Sequence, residues 1–389
     1  MNKSVYLDNA ATTPVDPRVL DAMLPYLRDV YGNANSAHGL GRKANVAVEE
    51  ARDTIARIIG AQHSEIIFTS GGTESNNAAI KGSLRASGKN HVITSGAEHH
   101  AVLHPIEHAQ SQGVNATFLD VKPLGIATAE QVSHAITDQT VLVSLMHGNN
   151  EIGSINPISA ISEVCKAKEV LLHSDTVQTA GKIPVNVDEL GVDFLSISGH
   201  KVYGPKGVGI LYVRNGTNWT PWMEGGSQER SRRGGTLNVP GIVGLAKALE
   251  LTTAEMNQNR EHIRNLQNAL VTGLIEKFGS HVKFNGDIDN GLYNIVNCSF
   301  PMDEGRALDG EMLLLNLDIE GICCSNGSAC ASGAVEPSHV LMSLGMEAAV
   351  AKSSVRFSIG KQNSMDDILY TLEKLEFIVN RMSRTSVNR

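Results

Sequence analysis

Lys201 ends the run Phe194-Leu195-Ser196-Ile197-Ser198-Gly199-His200 and precedes the Gly/Pro turn Val202-Tyr203-Gly204-Pro205-Lys206-Gly207. A lysine held where a sheet strand empties into a loop suits carbonyl chemistry. Burial or charged neighbours lower its pKa and free the amine to form a Schiff base. An ordinary surface lysine after a strand fits these residues too, and Lys206 stands nearby. In Thr69-Ser70-Gly71-Gly72-Thr73-Glu74-Ser75-Asn76-Asn77, two glycines allow a tight turn into a helix whose first amides and dipole favour an anion. Thr73 adds a hydroxyl donor, and no Gly-Lys-Ser/Thr closes the segment as a Walker loop would require. Asp175 follows the strand-like Leu171-Leu172-His173, where a carboxylate can accept a ring N–H and keep a heterocycle protonated. Pyridoxal phosphate needs such a partner, because its pyridinium is the electron sink. Taken singly, these residues are ordinary helix caps and hydrogen-bonding groups. Together with the histidines of Glu98-His99-His100, they supply each function a pyridoxal phosphate site requires.

A second nucleophile lies far downstream. Cys330 sits in Cys323-Cys324-Ser325-Asn326-Gly327-Ser328-Ala329-Cys330-Ala331-Ser332-Gly333, whose Gly, Ser, Ala and Asn content predicts a mobile, exposed loop. An exposed thiol reads as a nucleophile, whereas Cys165, Cys298, Cys323 and Cys324 lie in helix or strand patterns and read as packing. His100, His104 and His108 recur at i, i+4 and i+8, the spacing of metal ligands on one helix face or of a solvated face. Pro105 among them predicts that the helix begins only there.

The elements that must position these groups alternate. Glu65–Thr69, His91–Ser95, Ala116–Leu119, Val141–Leu145, Val170–His173, Phe194–Ile197 and Val208–Val213 read as strands. Amphipathic Arg42–Ile59, Glu74–Arg85 and Ile158–Lys168 read as helices between them. This predicts an α/β layer fold with a mainly parallel seven-stranded sheet, whose ligand sits beyond the carboxyl ends of its strands. A long helical pattern over Gly241–Lys277 leads to strand-like Val282–Phe284 and Tyr293–Ser299, then helix-like Arg306–Leu317 and Asp366–Met382. The expected division is a large domain over 15–255 and a smaller C-terminal α+β domain over 256–389, joined by 1–14. At 389 residues, two domains are the prior, and 41% hydrophobic with 19% charged residues is a soluble globular composition. A net charge of −8 gives no basic footprint for nucleic acid or anionic membrane. No apolar run approaches a membrane span, and five cysteines without a CxxC pair suit a reducing compartment, so a cytoplasmic location is expected.

These segments resemble the pyridoxal-phosphate enzymes of fold type I in the class V aminotransferase family, and most closely the cysteine desulfurases of the NifS/IscS group. The resemblance rests on Tyr6-Leu7-Asp8-Asn9-Ala10-Ala11-Thr12-Thr13-Pro14, the Ser70–Asn77 and Glu98–His100 segments, and Met146-His147-Gly148-Asn149-Asn150-Glu151-Ile152-Gly153. It continues through Asp175-Thr176-Val177-Gln178, Ser198-Gly199-His200-Lys201, Arg233-Gly234-Gly235-Thr236, Gly327-Ser328-Ala329-Cys330 and Ser354-Val355-Arg356-Phe357. The blocks run in order over nearly the whole chain.

The resemblance implies that Lys201, rather than Lys206, binds the cofactor aldehyde. Asp175 would meet the pyridine nitrogen, Gln178 the phenolic oxygen, and His99 would stack over the ring and move protons. Thr73, Ser198 and His200 would hold the phosphate. Thr236 would reach the phosphate of the neighbouring subunit, implying a homodimer with shared sites. Asn150 and Arg356 would clamp the substrate carboxylate, and Cys330 would take sulfur from L-cysteine as a persulfide, leaving L-alanine. The Gly/Ser-rich surround of Cys330 resembles the group with a long mobile loop. The chain ends at Arg389 without the longer tail by which some members meet an iron–sulfur scaffold. The expected acceptor protein therefore serves tRNA thiolation, cofactor synthesis, a specialised iron–sulfur cluster system or DNA modification. Selenocysteine lyase, β-lyase or aminotransferase chemistry would keep the cofactor, and a scaffolding subunit without turnover would keep only the fold.

Overall fold

The computed structural model describes residues 3–301, 307–326 and 336–387, the last four by backbone alone. After a short β1 (Val5–Tyr6), seven strands form the central sheet: β2 (Ile66–Thr69), β3 (His91–Ser95), β4 (Asn115–Leu119), β5 (Thr140–Ser144), β6 (Leu171–Asp175), β7 (Phe194–Ser198) and β8 (Gly209–Val213). Their order is β2-β8-β7-β6-β5-β3-β4, and only β8 runs antiparallel to its neighbours. The reversal follows from chain length. The link from β7 to β8 is a tight turn through 199–208, too short for the crossover a parallel return requires. Every residue of β2, β3, β5, β7 and β8 is buried, as expected where helices cover both faces, whereas the edge strand β4 is largely open.

Helix Gly39–Ile59 buries Ala44, Val48, Ala51, Ile55 and Ile59, the spacing of one apolar stripe, and stops at Gly60 in the left-handed region at φ 72°. Helix Gly72–Ala86 follows β2 directly, so the β2 carboxyl end and the helix start share one turn. The histidine segment departs from expectation: the helix there spans His100–Ser111 and contains Pro105. Its first turn is already built when the proline arrives. The His99 side chain accepts from Ala101 N, and the His99 carbonyl accepts from Val102 and Leu103. Pro105 therefore costs one intrahelical bond rather than delaying the start.

The long helical pattern also divides. Helices Val239–Ala254 and Met256–Phe278 meet at Glu255, whose φ/ψ of −92°/3° breaks the turn. The first packs Ile242, Leu245 and Leu249 into the core around the central sheet. The second packs Ile263, Leu266, Leu270 and Leu274 into a separate core. One straight helix cannot direct its stripe at both. That second core is built on β9 (Lys283–Phe284), β10 (Ile295–Ser299), β11 (Ile322–Cys323), β12 (Val355–Ser358) and helix Met365–Val387. β10 pairs antiparallel with β9 and β12, while β1 pairs parallel with β11 and adds Val5 and Leu7 to the core. Among the described residues, no helix is long and apolar enough to cross a membrane.

Candidate active site

The carboxyl ends of β2, β3, β6 and β7 open on a cavity of about 430 Å³ where the two cores meet. Lys201 ends a single helical turn, Gly199–Lys201, immediately after β7. The turn is closed by Val202 N and Gly204 N donating to the Gly199 carbonyl. Tyr203 next to it holds φ 63°, a strained position for a tyrosine, pinned by its amide donating to Thr13 Oγ1 and its hydroxyl accepting from Lys361 N. The Lys201 Nζ donates to the carbonyls of Ala10 and Ala11, each at 2.6 Å. Burial, and then the Arg356 charge, bring its pKa down to about 8, with Asp8 and Asp175 pulling the other way.

Asp175 is the last residue of β6, which runs two residues past the expected end at His173, and is buried. Its carboxylate accepts from Asn76 Nδ2 at 2.7 Å and Val177 N at 2.9 Å, fixing its plane. Gln178 donates to the Ala10 carbonyl at 2.9 Å, which leaves its buried Oε1 without a partner. His99 caps its helix and lines the cavity. The surrounding protein pushes its pKa down, against the pull of Asp175. Thr73, Ser198 and His200 line the same cavity, with His200 Nδ1 3.2 Å from Thr12 Oγ1.

Arg356 comes from β12 across the second core. It donates to Asp8 Oδ1 at 2.8 Å and to the Asn150 carbonyl at 2.9 Å, while its buried Nε is unpartnered. The cavity thus gathers Lys201, His99, Thr73, Asp175, Gln178, Ser198, His200, Asn150 and Arg356. Thr236 is not among its lining residues; it stands exposed after Gly235, which holds φ 106°. Cys330 lies outside the described residues. Of the histidines whose spacing fits a metal face or a solvated one, His100 stacks on His104 at 4.6 Å and meets His339 at 4.3 Å, and His104 and His108 are exposed. Among the described residues, no group of three or more His, Cys, Asp and Glu could hold a metal ion.

Several contributors had no role in the sequence reading. Asn76 and Asp8 stand inside quoted motifs, but only folding brings them to Asp175 and Arg356. Glu98 is wholly buried, accepts from Ser95 Oγ and Met146 N at 2.9 Å each, and has its pKa raised by burial to about 8. A carboxyl in such a setting is a neutral acid near pH 7. Its only sequence signal is adjacency to His99.

The lining fits pyridoxal phosphate. Asn76 Oδ1, Asn150 Oδ1, Gln178 Oε1 and Arg356 Nε are buried without partners and border the cavity. Such atoms are costly unless a polar ligand completes them. A lysine of lowered pKa, a buried aspartate and a helix N-terminus at the ends of a mainly parallel seven-stranded sheet fit the fold type I pyridoxal-phosphate enzymes.

The comparisons with known proteins agree. The class-V aminotransferase family model matches residues 5–370. The cysteine desulfurase IscS of Dictyoglomus turgidum is 48% identical over 389 residues, covering 99% of this chain and 97% of that protein. A solved structure described as a NifS-like protein superposes with TM-score 0.90 at 38% identity, over 97% of this chain and all (100%) of that one. SspA, solved in complex with cysteine, superposes with TM-score 0.78 at 36% identity, over 93% and 100% of the two chains. The chain belongs to the class-V aminotransferase family of pyridoxal-phosphate-dependent enzymes, within its NifS/IscS cysteine desulfurases.

Proposed function

We propose that this protein converts L-cysteine to L-alanine, moves the sulfur to Cys330 as a persulfide, and hands it to an acceptor protein. The observation that carries the reading is Lys201. Its amine, lowered to about 8, shares one cavity with the ring acid Asp175 and with the carboxylate-binding pair Asn150 and Arg356. When bound, pyridoxal phosphate supplies an electron sink in conjugation with the substrate α-carbon.

The chain's own groups do the rest. Lys201 would anchor the cofactor aldehyde and, as a free neutral amine, would accept the α-proton and become an ammonium. Asp175 holds the proton on the ring nitrogen and Gln178 orients the phenolic oxygen. His99, which lines the cavity, would move a proton at the substrate. Thr73, Ser198 and His200 hold the phosphate. Arg356 and Asn150 orient the substrate carboxylate, the guanidinium through its planar fork. The Cys330 thiolate attacks the substrate sulfur: the Sγ–S bond forms, the Cβ–S bond breaks, and Cβ takes a proton and leaves as alanine.

Two observations support Cys330. Cys165, Cys298, Cys323 and Cys324 all have thiol pKa values pushed up by burial, which makes each a poor nucleophile. The flanks of 327–335 also rest on substrate-side residues. Ser325 exchanges backbone bonds with Arg356, and Ser338 donates to Glu151 next to Asn150. In the same reading, 15–255 is the cofactor domain, and 256–389 with 1–14 carries the cysteine loop. Thr236, exposed and outside its own cavity, serves the neighbouring subunit of a homodimer. The free state of the four described cysteines suits a reducing cytoplasm.

The test supplies L-cysteine and measures alanine, sulfide and protein persulfide. Wild type should give alanine and sulfur in equal amounts, and Cys330→Ser should keep the cofactor's yellow band while forming no persulfide. A 2-oxo acid in place of alanine, or unchanged sulfur release by Cys330→Ser, would overturn the reading.

A further inference from the structure

The start of the phosphate-binding helix carries an electrostatic liability. Glu74 follows Thr73 directly and lines the recess that Thr73, Ser198 and His200 also line. Its carboxylate accepts from Ser70 N at 2.7 Å and so holds the turn through Gly71, which takes φ 152° with no capping side chain of its own. A carboxylate reaching back to an amide before the helix is a stabilising device at helix starts. Here it also places a full negative charge beside the atoms assigned to a phosphate. Burial pushes the Glu74 pKa up, but Arg233 and the Ser70 bonds outweigh it and leave the carboxyl below its usual range, hence ionised.

Arg233 answers that charge. Its Nε donates to Glu74 Oε1 at 2.8 Å and its Nη2 to Oε2 at 3.0 Å, a planar two-point pairing with Glu74 nearly buried. The segment presenting Arg233 is built at a cost. Glu229, Arg230 and Ser231 hold φ of 47°, 57° and 63°, three consecutive non-glycine residues in the left-handed region. Such strain persists only where the surroundings over-determine it. They do so here: buried Glu229 takes Arg52 at 2.7 and 2.9 Å and Phe68 N at 2.8 Å, tying the strained turn to β2. Gly234 packs on Gly225 so closely that a Cβ on it would lie 2.7 Å from the Gly225 Cα.

We propose that Arg233 is a positioning residue for the phosphate end of the cofactor: it cancels the charge of Glu74, so that the helix start keeps its glutamate-held turn and still accepts a phosphate. The inference rests on the assignment of Thr73, Ser198 and His200 to the cofactor phosphate.

The experiment measures retention of pyridoxal phosphate and of pyridoxal, which lacks the phosphate, by equilibrium dialysis and visible absorbance. Arg233→Gln leaves Glu74 ionised and unpaired. It should weaken pyridoxal phosphate binding by about ten- to hundredfold, the scale of one uncompensated charge within about a nanometre of a dianion in protein surroundings. Pyridoxal binding should hold. Arg233→Lys should keep most of the affinity, and the double variant Arg233→Gln/Glu74→Gln should recover to the level of Glu74→Gln alone. Equal losses for pyridoxal and its phosphate, or a double variant no better than Arg233→Gln, would make the pair a structural tie and overturn the proposal. If Arg233→Gln does not fold, the lysine and double variants carry the same test. Should wild type hold pyridoxal as tightly as its phosphate, the phosphate assignment itself fails, and the inference with it.

Discussion

If Lys201 attaches the cofactor as proposed, its pKa sets the pH at which the apoprotein can take it up. A free lysine titrates at 10.5, and here burial first and Arg356 second bring the group to about 8. That displacement disfavours the ammonium by roughly 3 kcal/mol. At pH 8 about half of Lys201 is then neutral, against about 0.3% of an unperturbed lysine, so the amine gains roughly two orders of magnitude in reactive form. The apoprotein, mixed with pyridoxal phosphate below saturation, should regain its visible band with a rate that rises with pH and levels off above about 8. Replacing Arg356 with Gln removes a repelling cation and frees Asp8, which accepts from it at 2.8 Å. Both changes favour the ammonium, so the midpoint should move upward. It should stay below 10.5, because burial is the larger cause. Stopped-flow absorbance over pH 6–11 reads this directly. A rate still climbing tenfold per pH unit beyond 10, or an Arg356→Gln midpoint that does not move, would refute the argument.

Two further perturbations test the scaffold. Glu98 has a folded pKa raised from 4.5 to about 8, so the native state keeps a proton that the unfolded chain loses between those values. Its contribution to stability is complete below pH 4.5 and is lost as pH rises to about 8, on the order of 4 kcal/mol in all. Glu98→Gln, permanently neutral, should flatten the fall in Tm between pH 5 and pH 8.5, and an unchanged slope would count against a protonated Glu98. At Gly209, a Cβ would lie 2.5 Å from the Ile197 carbonyl oxygen and 2.7 Å from the Gly71 Cα, both backbone atoms that cannot step aside cheaply. Gly209→Ala should therefore cost about 1–3 kcal/mol in denaturant unfolding and, since Gly71 shapes the turn proposed to hold the phosphate, speed cofactor loss. A neutral result would mean that β8 can shift away from that turn.

Much of this site is legible in the chain because its chemistry sits at strand ends, and strand ends are local. Apolar runs such as Phe194–Ile197 and His91–Ser95 mark their own limits to within a residue or two, and a parallel sheet gathers the residues that follow them. Thr73, a lysine after Phe194–Ile197 and a histidine after His91–Ser95 could thus be marked as candidates, while the resemblance chose Lys201 and His99; Asp175, expected just past its strand, is the strand's last residue. Other decisions were made by contacts that no local pattern encodes. β1 pairs with β11 from the far end of the chain, bringing Asp8 to Arg356. The reversal of β8 is set by a short link, and the break at Glu255 by two cores asking one helical pattern for different faces. The partners of single side chains, Asn76 on Asp175, Arg52 on Glu229 and Arg233 on Glu74, are of the same kind. Residue type and spacing determined which groups could do chemistry. Only tertiary packing, which sets distance, burial and neighbouring charge, decided their protonation and who holds them in place.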